Sequence, residues 1–290
     1  MNSLVIEPAF DDFAAAYEQG QPTLLFTKLV ADLETPVSAY LKLASSGSNA
    51  AFLLESVEGG AARGRYSMIG LNPDVIFRVN GDKAEINCNA LKDKNNFTPC
   101  SSPPLIALRE LISQSAIANS LPLPPMSAGV FGYLGYDMVR QMERLPPAKP
   151  DMIGAPDALL VRPTIMVIFD TVRDELSVVT PVRHDDQLDA KSAYAAANKR
   201  LDDIVTALDL PLKTAERAQQ ELFTTQEPVS NTQTSRFLEM VERAKEYIRA
   251  GDIFQVVLSQ RFTAPFKLPA FALYRALRRV NPAPFLCYLD

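Results

Sequence analysis

From Thr23 to Val182 the chain is a succession of short apolar or alternating runs, each closed by Gly, Pro, Asn or Asp. That punctuation restricts this part of the molecule to a β-rich architecture. The runs are Thr23–Leu29, Ala51–Val57, Arg65–Gly70, Asp74–Val79, Ala84–Cys88, Ala158–Asp170 and Asp174–Val182. Asn80-Gly81-Asp82 lies between two of them and predicts a tight hairpin, because Asn and Gly tolerate positive φ. Helices are expected between the strands. Phe10–Gln19 is a short one, and Thr35-Pro36 opens PVSAYLKLAS with proline in the first turn. LIALRELISQSAI spaces Leu105, Leu108, Ile112 and Ile117 helically, and Asp186–Leu208 is alanine-rich and helical. The segment SAGVFGYLGYD places Gly129, Gly132 and Gly135 every third residue, the pattern of a bulged strand closely approached by another backbone.

The pattern changes at Thr214. Residues 214–233 are polar and lack a durable apolar period, so they read as a linker between a first domain, 1–213, and a second region, 234–290. In that second region Ser235 is a candidate cap for a helix whose stripe is Phe237, Met240, Val241, Ala244 and Ile248. Gly251 is placed to end it. IFQVVLSQRF (Ile253–Phe262) reads as a strand buried on both faces, and a helix follows from Pro269 to about Val280. PFLCYLD reads as a last strand, one that wants a partner on each edge. Residues 234–290 are too few for a core of their own, so the expectation is a complete first domain and the opening of a second.

Composition excludes several functions. With 29 basic and 34 acidic residues the net charge is −5 and the pI about 5.1, which gives no cation field for nucleic acid or an anionic membrane. Cys88, Cys100 and Cys287 are too few and too scattered for a disulfide framework or a zinc cluster, and His184 is the single histidine. The N-terminus has early acids and no basic start before an apolar run, unlike a secretory signal, and no apolar stretch reaches the roughly 18 residues of a membrane helix. These features together predict a cytoplasmic protein.

The segment with the most chemical promise is LLESVEGGAARGRYSMIG (Leu53–Gly70). Glu55 and Ser56 end an apolar strand, and a Gly-rich loop then carries Arg63 and Arg65. A carboxylate, a hydroxyl and a guanidinium at the mouth of a sheet suit a zwitterion: Glu55 for its ammonium, Arg65 for its carboxylate, Ser56 for either. The competing reading is a solvated loop whose Glu and Arg pair with each other. GVFGYLGY lacks the Lys-Ser/Thr of a phosphate-binding loop. His184, in RHDD, reads as a solvated turn residue, and Asp202-Asp203 as a solvated helix surface. No residue stands out as a general acid or base.

LLESVEGG…GRYSMIG, SAGVFGYLGYD, GDIFQVVLSQRF and NPAPF, in this order, resemble the large-subunit (component I) family of anthranilate synthase, the chorismate-utilising enzymes that begin tryptophan synthesis. DLETPVSAYLKL (Asp32–Leu43) is similar to this family too. The resemblance implies a mixed α/β (α+β) fold of the anthranilate/aminodeoxychorismate synthase type. It has an N-terminal regulatory domain with antiparallel strands, then a chorismate-binding domain of which residues 234–290 are an incomplete start. It further implies that inhibitory tryptophan binds between the two, at Glu55, Ser56, Pro284, Phe285, Leu286 and, less closely matched, Arg65. Ala283 and Phe285 stand where serine and tyrosine are common in the family, and the second change removes a hydroxyl.

In the family, ammonia adds at C2 of chorismate with loss of the 4-hydroxyl, pyruvate is eliminated and the ring aromatises. Mg²⁺ holds the substrate carboxylate, and a separate glutamine amidotransferase subunit supplies the ammonia. The glutamates and the histidine responsible lie beyond the NP-x-P segment, so no catalytic or metal residue is assigned here and the 290-residue chain is expected to be inactive alone. The alternatives are the sister enzyme aminodeoxychorismate synthase component I and a non-catalytic amino-acid-binding module.

Overall fold

The computed structural model describes residues 4–44, 50–56, 64–118, 121–148, 150–212, 227–281 and 283–290. In chain order the elements are α1 (Phe10–Glu18), β1 (Thr23–Val30), α2 (Pro36–Leu43), β2 (Phe52–Ser56), β3 (Tyr66–Asn80), β4 (Lys83–Asn87), β5 (Thr98–Pro99), α3 (Pro104–Ser115) and β6 (Phe131–Leu134). A 3₁₀ turn at Tyr136–Gln141 precedes β7 (Ala158–Asp170), β8 (Glu175–Val182), α4 (Ala190–Asp209), β9 (Val229–Ser230), α5 (Thr234–Ala250), β10 (Phe262–Thr263), α6 (Ala270–Val280) and β11 (Phe285–Leu289). The fold is mixed α/β, and every strand pairing is antiparallel.

The chain divides into two compact units. The first is Met1–Lys213 with Ala276–Asp290, and the second is Thr214–Arg275. The first unit holds a nine-stranded sheet whose path runs β1-β8-β7-β3-β2-β11, with β4 on β3, β5 on β4 and β6 on β7. Asp74–Val79 and Arg65–Gly70, expected as two strands, are one: β3 runs through Asn72-Pro73 with a bulge between Pro73 and Val75. A bulge is where a strand accommodates proline, which lacks the N–H for the ladder. Beyond the bulge β3 exchanges neighbours, pairing β2 through Phe52↔Gly70 before it and β4 through Ile76↔Asn87 after it. β7 does the same with β8 and β6.

The sequence signals explain the local elements. Thr35 and Ser38 form a reciprocal capping box around Pro36, fixing the start of α2. Asn80↔Lys83 closes the hairpin of β3 and β4. Gly132, at φ +152°, runs so close to β7 that a Cβ would fall 2.0 Å from the Leu159 carbonyl oxygen. Only glycine fits that approach. Alternation along the strands then fills two clusters, one around Phe26, Phe52, Met68 and Ile168, the other around Phe77, Val79, Leu108 and Leu111 under α3. Phe13 of α1 meets Tyr194 of α4 at 5.2 Å between ring centroids.

The last strand takes its place here. β11 hydrogen-bonds to β2 with Phe285↔Ser56, Leu286↔Glu55 and Cys287↔Leu54. Residues 276–290, which the sequence reading groups with 234–290, therefore belong to the first unit by contact.

In the second unit α5 ends at Gly251, which adopts φ +82°. Ser235 is not its cap: the helix already includes Thr234, and Gln233 occupies the cap position without a side-chain bond. Ile253–Gln260 is not a strand and is largely exposed, because no described segment pairs with it. The ladder there is the short pair β9–β10, so Val229 and Ser230, inside the expected linker, are extended. Linker residues 214–226 lie outside the described residues. No helix among the described residues is long and apolar enough to cross a membrane. The three cysteines are free thiols.

Candidate functional site

The register of β2, β3 and β11 builds a hollow of about 430 Å³ within the first unit. Adjacent strands place directly paired residues on one face, so Leu54 and Ser56 of β2 share theirs with Phe285 and Cys287 of β11 and with Met68 of β3. These five side chains line the hollow, together with Tyr66, Arg65, Glu55, Leu286 and Met126. Met126 arrives from the α3–β6 connection, at φ +66°, a conformation a long side chain rarely adopts. Phe285 is 82% exposed, presenting an open aromatic edge. The volume falls within the range of small-molecule pockets, and the lining is mostly apolar with few polar groups.

Two of its charged groups, Arg65 and Glu55, already have partners. Arg65 donates from Nε to Asp170 Oδ1 and Oδ2 at 3.1 Å each, and from Nη2 to Oδ2 at 2.8 Å. This fork holds the buried Asp170 carboxyl below the usual carboxylate range, outweighing the effect of burial. Nη1 of Arg65 is not part of the fork, and the guanidinium lies 4.8 Å over the Tyr66 ring. Glu55 is buried, and its Oε2 sits 2.9 Å from Arg278 Nε. Since β-strand side chains alternate, the Glu55 carboxylate and the Ser56 hydroxyl leave β2 on opposite faces. Tyr288 of β11 lies on the Glu55 face, edge-on to Tyr40 of α2 at 5.6 Å.

Five of the six positions expected from sequence, Glu55, Ser56, Arg65, Phe285 and Leu286, thus line one hollow. Pro284 precedes β11, is exposed, and does not. Arg65 pairs with Asp170 and Glu55 faces Arg278, while loop residues 57–63, on which the solvated-loop alternative also rests, lie outside the described residues. Arg63 lies outside the described residues. Leu54, Tyr66, Met68 and Cys287 were accessible from strand alternation once β2, β3 and β11 were paired, whereas Met126 and Arg278 carry no sequence signal. His184 is exposed at the surface against Asp186, and Asp203 pairs with Lys199 one helical turn away. No group of three or more His, Cys, Asp or Glu among the described residues is arranged to hold a metal ion. These residues do not fit the Mg²⁺ that the resemblance implies.

Residues 49–290 match the family model of the chorismate binding enzymes, and the chain belongs to that family. Anthranilate synthase component 1 of Cereibacter sphaeroides is 45% identical over 282 residues, covering 97% of this chain and 56% of that protein. The Synechocystis anthranilate synthase component 1 is 37% identical over 294 residues, covering 99% and 57%. The crystal structure of anthranilate synthase component I from Streptococcus pneumoniae matches with a TM-score of 0.58 and 27% identity, over 88% of this chain and 52% of that one. The chain therefore spans little more than half the length of the curated relatives it matches.

Proposed function

We propose that this chain carries the inhibitor-binding part of an anthranilate synthase component I and that the hollow between β2, β3 and β11 takes tryptophan. The observation that carries the reading is the convergence of Glu55, Ser56, Arg65, Phe285 and Leu286 on one hollow. The indole stacks along Phe285, Met68 and Met126, the Ser56 hydroxyl takes one end of the amino acid, and Arg65 Nη1 takes the carboxylate. Glu55 acts as wall and main chain, its carboxylate being engaged by Arg278. Pro284 shapes the entry to β11 from outside the hollow.

The complete enzyme, in this reading, is cytoplasmic and converts chorismate and ammonia to anthranilate and pyruvate. It uses Mg²⁺ held by residues other than those described, and a glutamine amidotransferase subunit delivers the ammonia. The relatives named component 1 support the activity and the existence of a partner component.

The chain contains no tryptophan, so added L-tryptophan is the only indole in the sample. Its fluorescence, excited to the red of tyrosine absorption, should shift to the blue saturably on binding, and Ser56→Phe should abolish the shift. A wild-type chain that leaves the spectrum unchanged overturns the site. In a full-length enzyme, Ser56→Phe should retain activity and lose tryptophan inhibition; unchanged inhibition overturns it equally.

A further inference from the structure

A second hollow in the first unit, of about 710 Å³, shares no residue with the first. Three guanidinium groups meet there: Arg162 from β7, Arg183 just after β8 and Arg200 from α4. One partly buried carboxylate, Asp74 of β3, faces them, and Arg162 takes both of its oxygens at 2.8 Å. That fork neutralises Arg162. Arg183 and Arg200 have no ion-pair partner among the described residues. Their hydrogen bonds are to neutral groups: Arg183 Nη2 to the Ser115 carbonyl at 3.1 Å, Arg200 Nε to the Thr180 hydroxyl at 3.0 Å. Nε of Arg183 is buried without a hydrogen-bond partner among the described residues. Burial lowers the pKa of both groups, and the neighbouring Arg162 lowers that of Arg183 further. Asp185 and Asp186 stand at the rim, but both are exposed, Asp185 accepting from the Gln187 N–H and Asp186 facing His184.

Gathering like charges in a partly desolvated hollow is unfavourable unless something offsets it, and a forked guanidinium is the side chain best matched to an oxyanion. We infer that the Arg162–Arg183–Arg200 cluster is a binding site for a small molecule bearing a phosphate or carboxylate group, seated between Arg183 and Arg200. Asp74 orients Arg162 and limits the excess charge, so the site favours a compact anion over a polyanion.

The test is calorimetric titration of the 290-residue chain with inorganic phosphate and, separately, with malonate, each against chloride at matched ionic strength. Saturable heat with phosphate alone marks a phosphorylated ligand, and with malonate alone a carboxylated one; either supports the site. Arg183→Gln and Arg200→Gln should each weaken binding roughly tenfold or more, the loss of one charge-assisted hydrogen bond. If either variant fails to fold, the other carries the same expectation. Neither anion binding the wild type beyond chloride overturns the inference, as does affinity unchanged in the folded variants. Tryptophan fluorescence is an independent readout, so failure here leaves the first hollow's assignment standing.

Discussion

Arg278 Nε lies 2.9 Å from Oε2 of Glu55, a carboxylate whose side chain is only 2% exposed. The pair joins the C-terminal part of α6 to β2 across roughly 220 residues of sequence, behind the hollow proposed for tryptophan. It fixes the strand on which Ser56 stands, so the site rests on a contact made on the opposite face of the sheet.

Removing the cation should be destabilising. Arg278→Met is expected to lower the unfolding free energy by about 2 kcal/mol, the cost of leaving a buried carboxylate without its cation, reduced for the partial exposure of Arg278. Glu55→Gln combined with Arg278→Met should recover much of that loss. Urea denaturation of the two single variants and the double variant checks this; a strictly additive double variant would contradict the coupling.

The Arg65–Asp170 fork predicts an acid-side effect. Its arginine holds the Asp170 carboxyl below the value of about 3.9 expected in the unfolded chain. A depressed native pKa contributes stability above the unfolded value, and that contribution disappears as pH falls through the native one. Melting temperatures of wild type and Asp170→Asn should therefore differ most above about pH 4 and converge below it. A difference independent of pH would contradict the assignment.

Gly132→Ala should destabilise the first unit by roughly 2–4 kcal/mol, because the new Cβ meets a backbone carbonyl that cannot step aside. Gly20→Ala, at a turn with nothing within 4 Å of the added atom, should suffer only its φ of +71°. Thermal unfolding of the two variants compares a close approach with backbone strain alone.

Cys287 is an exposed thiol that lines the hollow proposed for tryptophan, and Cys100 is a partly exposed thiol that lines neither hollow. Saturating L-tryptophan should slow alkylation of Cys287 severalfold and leave Cys100 unchanged, read by mass spectrometry of the peptides. Equal slowing of both, or of neither, would place the ligand elsewhere.

Much of the lining of the candidate hollow was legible in the sequence because its residues end strands or follow them: Glu55 and Ser56 close an apolar run, and Phe285 and Leu286 open one. What sequence could not supply was register. Pairing Ser56 with Phe285 puts Cys287 beside Leu54 and sends Glu55 to the far face, toward Arg278. In the proposed site Glu55 therefore contributes wall and main chain, with its carboxylate facing Arg278. Pro73 led to two strands where there is one, since proline normally ends a strand and only a bulge accommodates it. Ile253–Gln260 misled for the opposite reason. Its apolar run has the composition of a buried strand, but a strand exists only against a neighbour, and no described segment provides one.

The β2–β11 ladder also has a consequence for synthesis. Ser56 and Phe285 are about 230 residues apart, and at roughly 5–20 residues per second the ribosome needs on the order of 10–45 s to deliver the second after the first. During that interval β2 has β3 on one side and bare amides and carbonyls on the other. The nascent chain thus exposes an open sheet edge beside the candidate hollow, and chaperone engagement should be strongest on ribosomes stalled between these two positions.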